Sequence, residues 1–158
     1  MDPLSSAPKP RRGLLFYVGS GGLLCVMLVE AAAVLGRHVG FPVTGALEIV
    51  QAAIVPAACA GMLIATARRA HAAVHMLTDR LSPSARVWIR RIEALLAALF
   101  FAALAYGATL LAREFWNSFE QSEVLHIPFR PLRVLVALTA AALAVAFARA
   151  FFRPGDKP

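Results

Sequence analysis

The sequence predicts an all-α integral membrane protein: four transmembrane helices plus a short amphipathic cytoplasmic-side helix between the second and third. Three observations predict it. First, the 158 residues are 59% hydrophobic and 16% charged, with a mean hydropathy of +0.69. That is too apolar for an ordinary soluble domain and long enough for four spans with short connections. Second, residues 49–66 and 94–112 contain no charged side chain. Uncharged runs of about 18 residues or more cross a ~30 Å hydrocarbon layer as a helix. Third, the stretch between them carries Arg68, Arg69, Arg80, Arg86, Arg90 and Arg91 against Asp79 alone. A short arginine-rich loop between two spans stays on the cytoplasmic side.

The net charge of +7 and pI near 10.7 do not point to nucleic acid, because the cations sit at span ends rather than along one soluble face. Cys25 and Cys59 both fall inside apolar runs without metal-ligand spacing, and read as small packing residues.

Residues 1–13 read as a disordered cytoplasmic tail, with Pro3, Pro8 and Pro10 and a basic end at Lys9, Arg11 and Arg12. A basic end before an apolar run has the form of a secretory signal. The run is long for that role and Glu30 interrupts it, so an uncleaved first span over residues 14–36 is expected. Gly19, Gly21 and Gly22 form a small-residue patch in it, a candidate packing face. Arg37 and His38 mark the outer interface, and Gly40, Pro42 and Thr44 make a turn. The second span covers residues 44–67. Pro56 removes one helical hydrogen bond and is expected to kink it, and Ala57, Ala58, Ala60 and Gly61 suit close packing.

In the basic segment, Ala70, Ala73, Val74, Leu77 and Leu81 recur at helical spacing on one side, with His71, His75, Thr78 and Ser82 on another. This is the amphipathic helix, its arginines turned to anionic lipid. Ser82 followed by Pro83 reads as a helix start that rises past Trp88, Arg90, Arg91 and Glu93 into a third span over residues 93–112. An outer loop with Glu114, Trp116, Glu120 and Glu123 ends at Pro128 and Pro131. The fourth span covers residues 132–152, with Arg133 and Arg149 placed to snorkel, and residues 153–158 form a cytoplasmic tail. On this topology 12 Lys and Arg residues lie inside and 4 (Arg37, Arg113, Arg130 and Arg133) outside. That bias puts both termini in the cytoplasm.

Few residues carry chemistry. Glu30 reads as the deepest charge, about two turns below the outer interface. It fits a structural or partner contact better than ion coupling, since no second acid, Asn or Ser accompanies it. Arg37 and Glu48 flank a short connection and could pair at the outer surface, or be solvated independently. His71 and His75 share a helical face at the inner interface, where polar-face residues are commoner than metal or haem ligands. Only His38 and His126 stand at matching depth for haem. No phosphate loop, Ser/His/Asp set or paired catalytic carboxylates appear, so no enzyme activity, cofactor or metal is expected.

Three stretches resemble the small membrane subunit of tripartite ATP-independent periplasmic (TRAP) transporters, a DctQ-like chain. Gly36 to Glu48 resembles the family's arginine, short turn and glutamate opening the second helix. Arg69 to Leu77, continuing to Pro83, resembles its basic, histidine and apolar segment before a proline. Ser122 to Pro128 resembles the sequence leading into its last helix. The resemblance implies a non-catalytic scaffold in the bacterial inner membrane. Its partners would be a large multispanning transport subunit, a periplasmic substrate-binding protein and membrane lipids, and its role the ion-gradient-driven import of an organic acid. Glu30, Arg37, Glu48, His71 and Pro128 are the candidate structural or partner-interface residues. The alternatives are a four-helix haem-binding redox protein and a stand-alone small transporter.

Overall fold

The computed structural model describes residues 13–67, 83–118 and 120–152. Four helices account for most of them: α1 (Leu14–Val39), α2 (Ala46–Ala67), α3 (Pro83–Glu114) and α4 (Arg130–Phe152). All four are long and apolar enough to cross a membrane. In hydrocarbon a backbone N–H or C=O finds no water, so an apolar chain closes its hydrogen bonds within itself as helix. Among the described residues there is no strand, only one isolated bridge, Gln121 with Pro128. The expected amphipathic helix and both expected tails beyond Gly13 and Phe152 lie outside the described residues.

The helix bounds depart from the expected spans for identifiable reasons. α1 runs past Gly36 to Val39 because the residue that leaves the helix is Gly40, at φ 82. That left-handed conformation costs glycine nothing and other residues about 1–2 kcal/mol. Its N–H donates to the Gly36 carbonyl, and so does that of Phe41, at 2.8 Å. Gly36 is needed for closeness instead: a Cβ there would run into the Phe41 carbonyl oxygen. α2 continues through Pro56. α3 starts at Pro83, where a missing N–H leaves no helical bond unmade, and runs about 48 Å at 1.5 Å per residue for its 32 residues. α4 takes Pro131 into its first turn, for the same reason.

The helices pack as a row. α1 lies against α2, α3 lies against α4, and the two hairpins meet through α2 and α4. The seams are made of small residues: Ala33, Ala46, Ala57, Cys59, Ala60, Ala94, Ala137 and Ala140 are buried, with Leu143 the large exception. Where lipid is as apolar as leucine, close backbone approach rather than hydrophobic burial brings helices together. Gly22 shows this most sharply, since a Cβ there would stand 2.7 Å from the Ala57 Cβ and 3.0 Å from the Ala53 carbonyl oxygen. Gly19 faces Ala60, whereas Gly21 faces nothing within 4 Å. Two of the three patch glycines therefore serve the α1–α2 seam. On the other hairpin, Phe101 of α3 and Phe147 of α4 stack with ring centres 5.6 Å apart. Large apolar side chains point outward along the row, Leu24, Leu28, Leu99, Phe100 and Leu138 among them.

Candidate functional site

The densest polar structure lies at the end of the row that holds the α1–α2 and α3–α4 connections, the connection end. It is built on Glu48. Gly45, at φ 79, turns the chain into α2, and the N–H groups of Glu48 and Ile49 donate to its carbonyl at 3.0 and 3.2 Å. This sets Glu48 in the first turn with its carboxylate directed across to the loop after α3. The N–H of Val124 donates to Oε1 at 2.9 Å and that of Leu125 to Oε2 at 2.7 Å. The Ser122 hydroxyl and the Glu123 backbone N–H face the same carboxylate. Hydrogen bonds to a charged acceptor are about twice as strong as neutral ones.

The loop it holds is closed on itself. Ser122 is buried and acts three times: its N–H donates to the Ile127 carbonyl (3.1 Å), its carbonyl accepts from His126 (3.2 Å), and its Oγ accepts from the Ile127 N–H (2.9 Å). The turn this imposes places His126 at φ 55, a left-handed conformation uncommon outside glycine though less so for His. Gln121 and Pro128 bridge across the neck, and Pro128 itself is exposed. The Leu125 side chain packs on Gly45, where a Cβ would meet its Cγ at 3.0 Å. Below the neck, Arg133 pairs with Glu120 and lies over the Phe115 ring at 4.7 Å, and Arg130 donates to the Ser118 carbonyl at 3.0 Å. The loop is thus tied at one side to α2 and at the other to α4.

Of the two alternatives for Arg37 and Glu48, the pair is not formed. Both Glu48 oxygens are taken up by the loop, and Arg37 Nε donates to the Ala33 carbonyl of its own helix at 3.4 Å. A carboxylate offers two acceptors, which match two successive N–H groups of a turn better than a flexible guanidinium at an exposed helix end.

The register of α1 against α2 fixes the level of Glu30 relative to Glu48. Gly22 faces Ala53 and Ala57. In an antiparallel pair, eight residues forward from Gly22 corresponds to eight residues back from there, so Glu30 stands level with residues 45–49. It is therefore level with Glu48. It is exposed on the outside of α1. α1 then overshoots by nine residues, about 13 Å, and residues 40–45 fold back along it. His38 Nδ1 lies 2.9 Å from the Val34 carbonyl oxygen. His71 and His75 lie outside the described residues. Among the described residues, no group of three or more His, Cys, Asp and Glu side chains could hold a metal ion.

Of the candidate residues, the structure joins Glu48 to the loop that ends in Pro128 and leaves Glu30 and Arg37 apart from it. Sequence reasoning missed Ser122, Gly45 and the Arg133–Glu120 pair. A serine five residues before an Ile-Pro step, and a glycine three before the glutamate, were the available signs of a closed loop and a tight helix entry.

A family model described as "Tripartite ATP-independent periplasmic transporters, DctQ component" matches residues 26–154. No curated protein and no solved structure matches the chain.

Proposed function

This chain belongs to the DctQ-component family of tripartite ATP-independent periplasmic transporters, and from that premise we propose that it is a scaffold for a large multispanning transport subunit. The family is one of transporter components, not of enzymes. In the proposed role the chain handles no solute. It broadens the fixed part of the transporter, against which the mobile part of the large subunit slides while a periplasmic binding protein delivers an organic acid and an ion gradient drives uptake. The chain lies in the inner membrane with both termini cytoplasmic, so the connection end is periplasmic.

The observation that carries this reading is the row of helices with its clasped end. Four spans side by side, with large apolar side chains outward and small residues at the seams, expose far more surface than a closed bundle of the same helices. A broad, thin slab suits bracing a neighbour better than enclosing a path. The Glu48 clasp ties the α1–α2 hairpin to the α3–α4 hairpin, so the slab resists hinging between its halves. Glu30, Arg37 and Pro128 sit on the exposed rim of the same end, where a partner subunit or the binding protein has access.

Affinity purification from native membranes tests it. A large multispanning protein should come along, and proteoliposomes should take up organic acid only when both chains and the binding protein are present. Uptake by this chain alone, or purification from native membranes without such a partner, would refute the scaffold role.

A further inference from the structure

Between α2, α3 and α4, just below the clasp, lies a groove of about 460 Å³ lined by Val55, Ala108, Leu111, Phe129, Leu132 and Val136, with Gln51 and Arg133 also on its wall. That volume falls within the ~300–1,000 Å³ of ordinary small-molecule sites. Its chemistry is graded along the helix axes. Gln51 is one turn above Val55 on α2, and Arg133 is nearly one turn above Val136 on α4, so the polar wall is at the connection end and the dry wall lies deeper.

We propose that this groove holds one acyl tail of a phospholipid from the leaflet at the connection end, with the phosphate at Gln51 and Arg133. Three features point to a lipid. The dry part begins below Gln51 and Arg133 and runs away from the connection end, the direction in which a tail enters from that leaflet. The polar part offers donors: the NH2 of the Gln51 amide, and the guanidinium N–H groups of Arg133 that remain after its pairing with Glu120. A phosphate offers acceptors to both, whereas an apolar side chain from a neighbouring helix would cover them without partners, at a cost. Basic pockets between transmembrane helices are a known setting for lipid headgroups. The groove also lies at the junction of the two hairpins, so a seated tail completes the packing between α2 and α4.

The groove belongs to this chain alone, so the test is readable whether or not a large subunit accompanies it. The full chain is purified in mild detergent, washed, and its phospholipid measured by native mass spectrometry and phosphorus content. The wild type should keep one phospholipid per chain, Ala108→Phe should lose it, and Leu138→Phe, on the exposed side of α4, should keep it. A phosphatidylglycerol or phosphatidylethanolamine with a photoreactive tail, added to the unmodified chain, requires no variant to fold. It should label Val55, Ala108 and Val136 at several times the level of exposed Leu99 and Leu104. No retained lipid, equal retention in Ala108→Phe, or labelling spread evenly over the apolar surface would each overturn the proposal. So would label excluded from the groove by a protein side chain.

Discussion

The carboxylate of Glu48 holds the backbone of Leu125, 77 residues further along the chain, through a 2.7 Å hydrogen bond, while the Leu125 side chain packs on Gly45, three residues before Glu48. Leu125 is thus held twice at the start of α2, by charge through Glu48 and by shape through Gly45. Because Glu48 opens α2 and Leu125 sits in the loop entering α4, this contact couples the two hairpins at their connection end.

Replacing Glu48 with Ala should leave the Val124 and Leu125 N–H groups without their acceptor. Their amide hydrogen exchange should speed by on the order of tenfold, while amides in the centre of α4 stay protected. Glu48→Gln should fall between, because its one carbonyl oxygen serves a single N–H. Unchanged exchange in Glu48→Ala would show that the loop closes without the clasp.

Ser122→Ala removes the acceptor of the Ile127 N–H at a buried position. Leaving a buried donor unpaired costs about 1–3 kcal/mol. Thermal unfolding in detergent should shift down by several degrees, and Ser122→Thr, which keeps the hydroxyl, should recover most of the loss.

At the α1–α2 seam, Gly22 and Gly21 make a matched pair. Gly22→Leu drives a side chain into Ala57 and the Ala53 carbonyl, an overpacking expected to cost about 1–3 kcal/mol. Gly21→Leu enters open space and should be close to neutral. Equal melting temperatures for the two variants would contradict the seam.

Gly45 and Gly40 separate backbone strain from crowding. Both have positive φ, 79 and 82, but only Gly45 has a neighbour in reach. Gly40→Ala should cost about 1–2 kcal/mol for its left-handed backbone. Gly45→Ala should cost more and also speed exchange at Leu125, since the new methyl displaces that side chain. If both variants lose the same stability and exchange at Leu125 is unmoved, the packing of Leu125 on Gly45 contributes nothing.

Much of this protein was legible in one dimension. The number of spans follows from apolar runs and their length, because hydrocarbon admits no unsatisfied backbone and leaves the helix as the available form. Glu48 and the stretch ending at Pro128 were each singled out by their neighbours, and Gly22 by its patch. What remained out of reach was their association. Arg37 and Glu48 could have paired or stood solvated independently, and the level of Glu30 relative to Glu48 is not set by α1 alone.

Folding decided both by setting a register. Once Gly22 sits against Ala53 and Ala57, Glu30 is level with Glu48, and the α1–α2 connection must run back alongside its own helix. Glu48 then faces a turn whose N–H groups need an acceptor. The chain by itself determined which segments enter lipid, since transfer of each segment depends on its own composition. Which polar groups meet at the boundary was decided only in three dimensions, because that depends on how far one helix slides along another, and sliding is stopped by atoms on both.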